Sequence, residues 1–334
     1  MNFLEKLNIS LKLLQAVLFK KRFPLAVTWN ITYRCNLRCS YCGAWKNKGE
    51  ELDTKSIFNI IEQLAALGTK FITFSGGEPL LKEGLGDVIE FCRNKNICVG
   101  IKSNGILVKK EIAKIKRANR IQLSLDGPQN IQDMIRGEGA HNKVIEAIET
   151  CKKEGMKVSI ATVISRYNVK QISYILNIAE KYKIGVHFQP ADQSLSANCD
   201  KNIRLLFGPD IKDYKKAITL LIEEKSRGNK CIDNSSAGLA HLYHWPYPQK
   251  MNCFASLIFC IIEPDGKSFI CDMFPNYQKY LIPMNQSFKK SFDNLSLPHP
   301  CVGCWSGLMV EFNLLKSFKL KAVAGMWNMF KNSL

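Results

Sequence analysis

Thr32-Tyr33-Arg34-Cys35-Asn36-Leu37-Arg38-Cys39-Ser40-Tyr41-Cys42-Gly43 places three cysteines at C-x3-C-x2-C spacing on one short loop. The apolar run before it, Pro24-Leu25-Ala26-Val27-Thr28-Trp29-Asn30-Ile31, reads as a strand. Three thiolates on one loop can close around a single metal centre. A structural zinc takes four protein ligands, and no fourth Cys or His lies nearby, whereas a [4Fe-4S] cube can be held by three thiolates with one iron left open. A zinc knuckle, or three unrelated buried thiols, is the competing reading.

Working outward, strands and helices alternate. Thr54 is positioned to cap a helix over residues 55–67 that carries Ile57, Ile60, Ile61, Leu64 and Leu67 on one face and stops at Gly68. The strand 70–74 runs straight into Ser75-Gly76-Gly77-Glu78-Pro79, where two glycines let backbone approach a ligand and Glu78 offers a carboxylate to a positive group. Further strands are expected at 98–102, 120–125, 158–164 and 184–190, with helices near 86–94, 109–116, 143–153 and 170–182 between them. Such alternation argues for parallel strands with right-handed crossovers, and the motifs fall at strand C-terminal ends, where α/β barrels build their sites.

The cysteine loop, with Tyr41 at its aromatic position, and Gly76-Gly77-Glu78-Pro79 one βα unit later resemble the signature of the radical S-adenosylmethionine (SAM) superfamily. The resemblance implies an α/β fold: an incomplete (β/α)6 barrel over residues 24–208, open on one side to admit a large substrate. It implies that Cys35, Cys39 and Cys42 hold a [4Fe-4S] cluster whose free iron chelates the methionine part of SAM. It assigns Gly76, Gly77 and Glu78 to the SAM amino group, and the Ser103-Asn104-Gly105 turn to the base of the SAM site. Ser124 is assigned to the ribose or carboxylate edge, with Asp126 capping the loop, and Arg136 of Ile135-Arg136-Gly137, placed in a loop, to the SAM carboxylate. His187 and Gln189, on the sixth strand, are candidates to face the barrel mouth, packing being the ordinary alternative for a strand histidine.

Residues 191–208 read as a polar loop, and Pro209 starts a helix running to residue 227. Cysteines then regroup. Phe259 to Glu263 and Ser268 to Cys271 form a hairpin around Pro264-Asp265-Gly266-Lys267, which brings Cys253 and Cys271 near each other, and Cys301-Val302-Gly303-Cys304 adds two more sulfurs. Four such thiols can bind zinc or a fully ligated [4Fe-4S] cluster. The set resembles the SPASM extension, in its shortened "twitch" form, of some members of the superfamily, which implies one auxiliary cluster on Cys253, Cys271, Cys301 and Cys304, with Cys260 a substitute ligand. Asp272 sits where relatives place a general base, or it bonds amides around the cluster. Cys92, Cys98, Cys151, Cys199 and Cys231 read as small buried or surface residues.

The chain has 334 residues, 46% of them apolar, with 13 Cys and a formal charge of +18. That length and composition suit one large α/β domain with a smaller module at 209–305. No run is long and apolar enough for a membrane span, so a cytoplasmic protein with reduced thiols is expected. Two clusters on three and four thiolates lower the charge to about +15, which favours an acidic partner such as a flavodoxin or ferredoxin electron donor, or a membrane surface. Residues 1–23 and 306–334 are basic and amphipathic: they dock on the barrel or on each other, or make peripheral contact at the inner membrane surface. No motif for reading nucleic-acid sequence is present.

The expected function is reductive cleavage of SAM to a 5'-deoxyadenosyl radical and hydrogen abstraction from a peptide, protein or other large substrate, the auxiliary cluster accepting an electron. The rivals are dehydrogenation of a small alcohol, modification of a lipid, isoprenoid or cofactor precursor at a membrane, and, outside enzymes, an iron-sulfur relay or binding protein.

Overall fold

The strands alternate polar and apolar residues although they lie in a parallel sheet, and this decides where the core sits. In a computed structural model, which describes residues 3–192, 203–249, 251, 253–271, 281–283, 287–295 and 304–315, the helix α1 (Phe3–Phe19) precedes β1 (Ala26–Thr32). Then come α2 (Thr54–Leu67), β2 (Phe71–Gly76), α3 (Leu85–Asn94), β3 (Cys98–Ser103), α4 (Val108–Ile115) and β4 (Arg120–Ser124). After these run α5 (Gln129–Arg136), α6 (Ala140–Lys153), β5 (Lys157–Ile164), α7 (Ile172–Tyr182) and β6 (Gly185–Pro190). The second half holds α8 (Ile203–Phe207), α9 (Ile211–Ser226), α10 (Ser236–Leu242), α11 (Ala255–Ile258), β7 (Phe259–Ile262), β8 (Ser268–Phe269), α12 (Phe288–Asn294) and α13 (Gly307–Leu315).

One sheet runs β6-β5-β4-β3-β2-β1-β7-β8. Strands β1 to β6 are parallel to their sequence neighbours, as right-handed crossovers require. The hairpin is not detached from them: β7 pairs parallel with β1, Ala26 beside Phe259, and β8 returns antiparallel. On the outer face, Trp29, Phe74, Val99, Ile121, Leu123 and Phe188 are buried against the helices. The alternate residues Thr28, Thr73, Lys102, Gln122, Ser159 and His187 line a cavity of about 1700 Å³ instead. Strands of a packed parallel barrel are apolar on both faces; polar alternation such as Arg120-Ile121-Gln122-Leu123-Ser124 therefore marks an open lumen.

Local signals account for the element ends. Helix α2 is capped by Asp53, not by Thr54, with the Asp53 carboxylate accepting from Ser56 N at 2.7 Å, and it ends on Gly68 at φ +94°. Helix α9 starts after Asp210, which accepts from Lys212 N and Asp213 N. Arg136, expected in a loop, is the last residue of α5.

Helix α1 docks on the core through one stripe, as one of the expected alternatives has it. It buries Ile9 and Ala16 and packs Leu13 and Val17 on the core, a narrow i, i+4, i+7 stripe, while Lys12 lies over Phe23 at 5.7 Å. Leu11, Leu14, Leu18 and Phe19 are 44–77% exposed. A helix carrying apolar residues on two faces satisfies both stripes by periodicity alone, and contact with the barrel selected the one holding the small Ala16. The expected helix over 306–334 is described only to Leu315.

Candidate active site

The site begins where β1 ends. Thr32 Oγ1 and Tyr33 N both donate to Glu51 Oε1, at 2.6 and 2.9 Å, and Lys82 pairs with the other Glu51 oxygen at 3.1 Å, which fixes the entry to the cysteine loop. From β2, Gly77 N donates to Thr32 O at 2.9 Å and Glu78 N to Arg34 O at 2.8 Å. A Cβ on Gly77 would lie 2.6 Å from the Arg34 carbonyl carbon and 2.9 Å from Tyr33 O. Glycine is thus required for the two backbones to meet. Gly76 is at φ +120°, also glycine territory. From β3, Asn104 Nδ2 donates to Asn36 Oδ1 at 2.8 Å. Three strand ends therefore clamp one loop.

Cys35, Cys39 and Cys42 line the cavity at this rim. Burial pushes the Cys35 thiol up to about 11 and raises Cys39 too, with the Arg136 charge pulling Cys39 partly back. Left to themselves these groups stay protonated at neutral pH, and a positively charged centre would have to draw the protons off. Three soft donors on one braced loop fit a [4Fe-4S] cube. Among the described residues no three Cys, His, Asp or Glu converge as on a single metal ion.

Glu78 does not present its carboxylate to the lumen. It is fully buried and accepts from Asn104 N at 2.8 Å, Ser103 Oγ at 2.9 Å and Leu80 N at 3.2 Å, so it braces the end of β3. Burial outweighs these bonds and raises its pKa to about 7. The folded chain then keeps a proton that the unfolded chain, titrating near 4.5, has already lost. The stabilisation is complete below about pH 4.5 and disappears as pH rises through about 7, worth roughly 3 kcal/mol across that window. We expect Glu78→Gln to flatten the fall in urea midpoint between pH 5 and pH 8. An unchanged pH slope in that variant would show that the carboxyl titrates normally.

A second buried network ties β4 to the loop. Arg136 Nε donates to Asp126 Oδ2 at 2.8 Å, Arg136 Nη2 to the Tyr41 hydroxyl at 2.5 Å, and Arg136 Nη1 points at Cys39 Sγ from 3.9 Å. The Tyr41 hydroxyl also donates to Asp126 at 3.2 Å. Burial alone would weaken the charge on Arg136, but Asp126 beside it holds the guanidinium firmly charged. The guanidinium thereby ties Tyr41 to Asp126 while Arg136 also lines the cavity. Asp126, read as no more than a loop cap, is the hub: it is fully buried and also accepts from Val163 N at 3.0 Å.

Ser124, His187 and Gln189 line the lumen, as does Ser103 in part. Sequence reasoning missed Lys102 and Arg120, which line it as well; a charged residue alternating with apolar ones on an inner strand was the available signal.

Of the second cysteine set, Cys253 and Cys271 are half-buried and Cys304 is buried, and the hairpin turn between them closes through Gly266 N to Glu263 O at 2.9 Å. Helix α13 holds this region to the barrel: Asn313 Oδ1 accepts from Phe254 N at 2.7 Å beside Cys253, Glu311 accepts from Ser235 N at 2.9 Å, and Gly307 packs on His187. His241 Nε2 lies 2.8 Å from Cys304 O. Cys301 and Asp272 lie outside the described residues.

Residues 29–179 match the family model of the radical SAM superfamily. The chain is 35% identical over 173 residues to Fe-coproporphyrin III synthase of Methanosarcina barkeri, a match covering 50% of this chain and 43% of that protein. It is 25% identical over 305 residues to PqqA peptide cyclase of Gluconobacter oxydans, covering 84% and 82%. Its fold resembles Streptococcus suis SuiB bound to the precursor peptide SuiA, with a TM-score of 0.62, 17% identity, and 82% of this chain and 66% of that one covered. Several curated relatives are spanned for only 43% to 66% of their own length. A matching core and a three-cysteine loop clamped at the mouth of a partial barrel lead to one assignment: residues 29–179 form a domain of the radical SAM superfamily.

Proposed function

We propose that the protein cleaves SAM at the cysteine rim and abstracts hydrogen from a peptide or other large substrate held in the lumen. The observation that carries the reading is the opening of the Cys35, Cys39 and Cys42 loop onto a polar cavity of about 1700 Å³. When bound, a [4Fe-4S] cluster with SAM supplies one-electron scission of a carbon–sulfur bond and a 5'-deoxyadenosyl radical. The chain's part is to orient: Gly76 and Gly77 bring backbone to the ligand, Asn104 fixes the loop through Asn36, and Ser124 faces the lumen below. Cys253, Cys271, Cys301 and Cys304 would hold a second, auxiliary [4Fe-4S] cluster, which when bound would supply an electron acceptor, and Asp272, next in sequence to Cys271, would take a proton. The PqqA cyclase relative and the SuiB fold support a peptide. The more identical Fe-coproporphyrin III synthase segment supports a second reading, a cofactor precursor.

Reduced, reconstituted protein given SAM should form 5'-deoxyadenosine. The Cys35→Ala, Cys39→Ala, Cys42→Ala triple variant should form none and lose the iron of the first centre; iron retained there, or continued cleavage, would end the reading.

The basic surface suits an acidic flavodoxin- or ferredoxin-type donor. No helix among the described residues is long and apolar enough to cross a membrane. The exposed Leu11, Leu14, Leu18 and Phe19, flanked by Lys20, Lys21 and Arg22, support peripheral contact with anionic lipid. Sedimentation with phosphatidylserine vesicles is expected for the wild type and not for Leu14→Asp/Leu18→Asp; equal pelleting of both would dismiss it.

A further inference from the structure

We propose that the lumen carries a site for a carboxylate of the substrate, framed by Lys102 on β3 and by Arg120 and Gln122 on β4. The proposal deepens the reading above, since it takes the lumen as the place where the substrate lies. Register brings the side chains together. On adjacent parallel strands Gly100 stands beside Arg120 and Lys102 beside Gln122, and Lys102, Arg120 and Gln122 all line the cavity.

Glycine makes the room. A Cβ on Gly100 would lie 3.1 Å from Arg120 Nε and 3.2 Å from Thr73 Oγ1, so the guanidinium stem lies across β3 on the lumen side. Gly185 on β6 does the same for Asp233, whose carboxylate packs directly on it. The charge of Asp233 reaches both Arg120 and Lys225. On the wall formed by β1 and β7, Glu263 accepts from the Asn30 amide at 3.1 Å. Among the described lining residues, Lys and Arg outnumber Asp and Glu by more than two to one. A concave chamber with low-dielectric walls focuses such an excess and raises the local concentration of anions.

His187 is an independent observation on the same chamber. Among the described residues its Nε2 is buried with no hydrogen-bond partner, and it lies against Gly307 of α13. Burial, together with the charges of Lys102 and Arg120, holds the imidazole down at about 4, so at neutral pH it adds no charge but can donate or accept one bond. The nearby Asp233 disfavours a second negative charge on the ligand. A monoanionic carboxylate, bonded by an ammonium and the Gln122 amide, therefore suits the chamber better than a phosphate dianion.

Isothermal titration of the full-length, cluster-loaded protein tests this with monomethyl succinate as the carboxylate probe and its uncharged amide as control. The acid is expected to bind at least tenfold more tightly than the amide, and at least tenfold more weakly to Lys102→Gln than to the wild type. Should that variant fail to fold, Gln122→Glu decides, because a carboxylate built into the chamber should abolish binding of the acid. Equal affinity for acid and amide, or wild-type affinity in the folded variant, overturns the proposal. Formation of 5'-deoxyadenosine by the wild type is measured alongside. Cleavage without discrimination removes the carboxylate site and leaves the proposed function standing, and discrimination without cleavage does the reverse.

Discussion

Gly77→Ala is expected to abolish iron binding at the first centre and, with it, SAM cleavage, although the substitution adds one methyl group. That methyl would sit 2.6 Å from the Arg34 carbonyl carbon and 2.9 Å from Tyr33 O, and both neighbours are backbone. A flexible side chain could swing away from such a contact, but here the loop itself must move. Moving it breaks the bond from Glu78 N to Arg34 O at 2.8 Å and the bond from Gly77 N to Thr32 O at 2.9 Å. Arg34 directly precedes Cys35, so the displacement passes to the first thiol. Overpacking of this kind costs roughly 1–3 kcal/mol, before lost hydrogen bonds are counted. Gly155→Ala is the control: it is also strained, at φ +71°, but its Cβ meets nothing within 4 Å, and it should lower stability by only about 1 kcal/mol with full iron content. Iron and sulfide analysis after anaerobic reconstitution separates the two. A fully loaded Gly77→Ala protein would mean that the loop tolerates the shift.

Much of this site was legible because its signals are local. The glycines of Gly76-Gly77-Glu78-Pro79 announce a close backbone approach, the cysteine spacing announces a shared centre, and period-2 strands between capped helices announce the parallel sheet. What stayed hidden depends on contacts between residues far apart in sequence. Nothing near Phe259 shows that β7 will lie beside β1. Nothing near Glu78 in sequence shows that Ser103 and Asn104 will donate to its oxygens. The apolar residues of α1 offer two stripes, and only the surface beneath chooses between them. Arg120 and Lys102 alternate with apolar neighbours, but alternation does not say which face is core and which is lumen; the helices packed outside settle that. Arg136 reads as a loop residue, whereas its position at the end of α5 turns the guanidinium inward to Asp126.

That inward turn leads to the second large effect. Asp126→Ala should destabilise the fold by about 3–5 kcal/mol, because removing one partner of a buried ion pair leaves the other charge without compensation. Arg136 and Asp126 are both buried, and the same carboxylate accepts from Tyr41 and Val163 N, so the substitution orphans several donors at once. Asp126→Asn keeps the shape and some of the acceptors and should cost less. Replacing both charges, as Asp126→Asn with Arg136→Met, should recover part of the loss, since an uncharged pair of similar volume does not carry the desolvation penalty of a lone charge. A double-mutant cycle from urea denaturation of the four proteins measures that coupling. Coupling near zero would mean that the two residues act independently despite their 2.8 Å contact. Because the guanidinium also faces Cys39 Sγ, the charge variants should act on the first centre with opposite signs. Arg136→Met removes a positive charge beside the thiolate and should make the cluster harder to reduce. Asp126→Asn leaves that charge less neutralised and should make it easier. Redox titration followed by electron paramagnetic resonance reads this directly, and potentials moving in the same direction would separate the network's structural work from any electrostatic influence on the cluster.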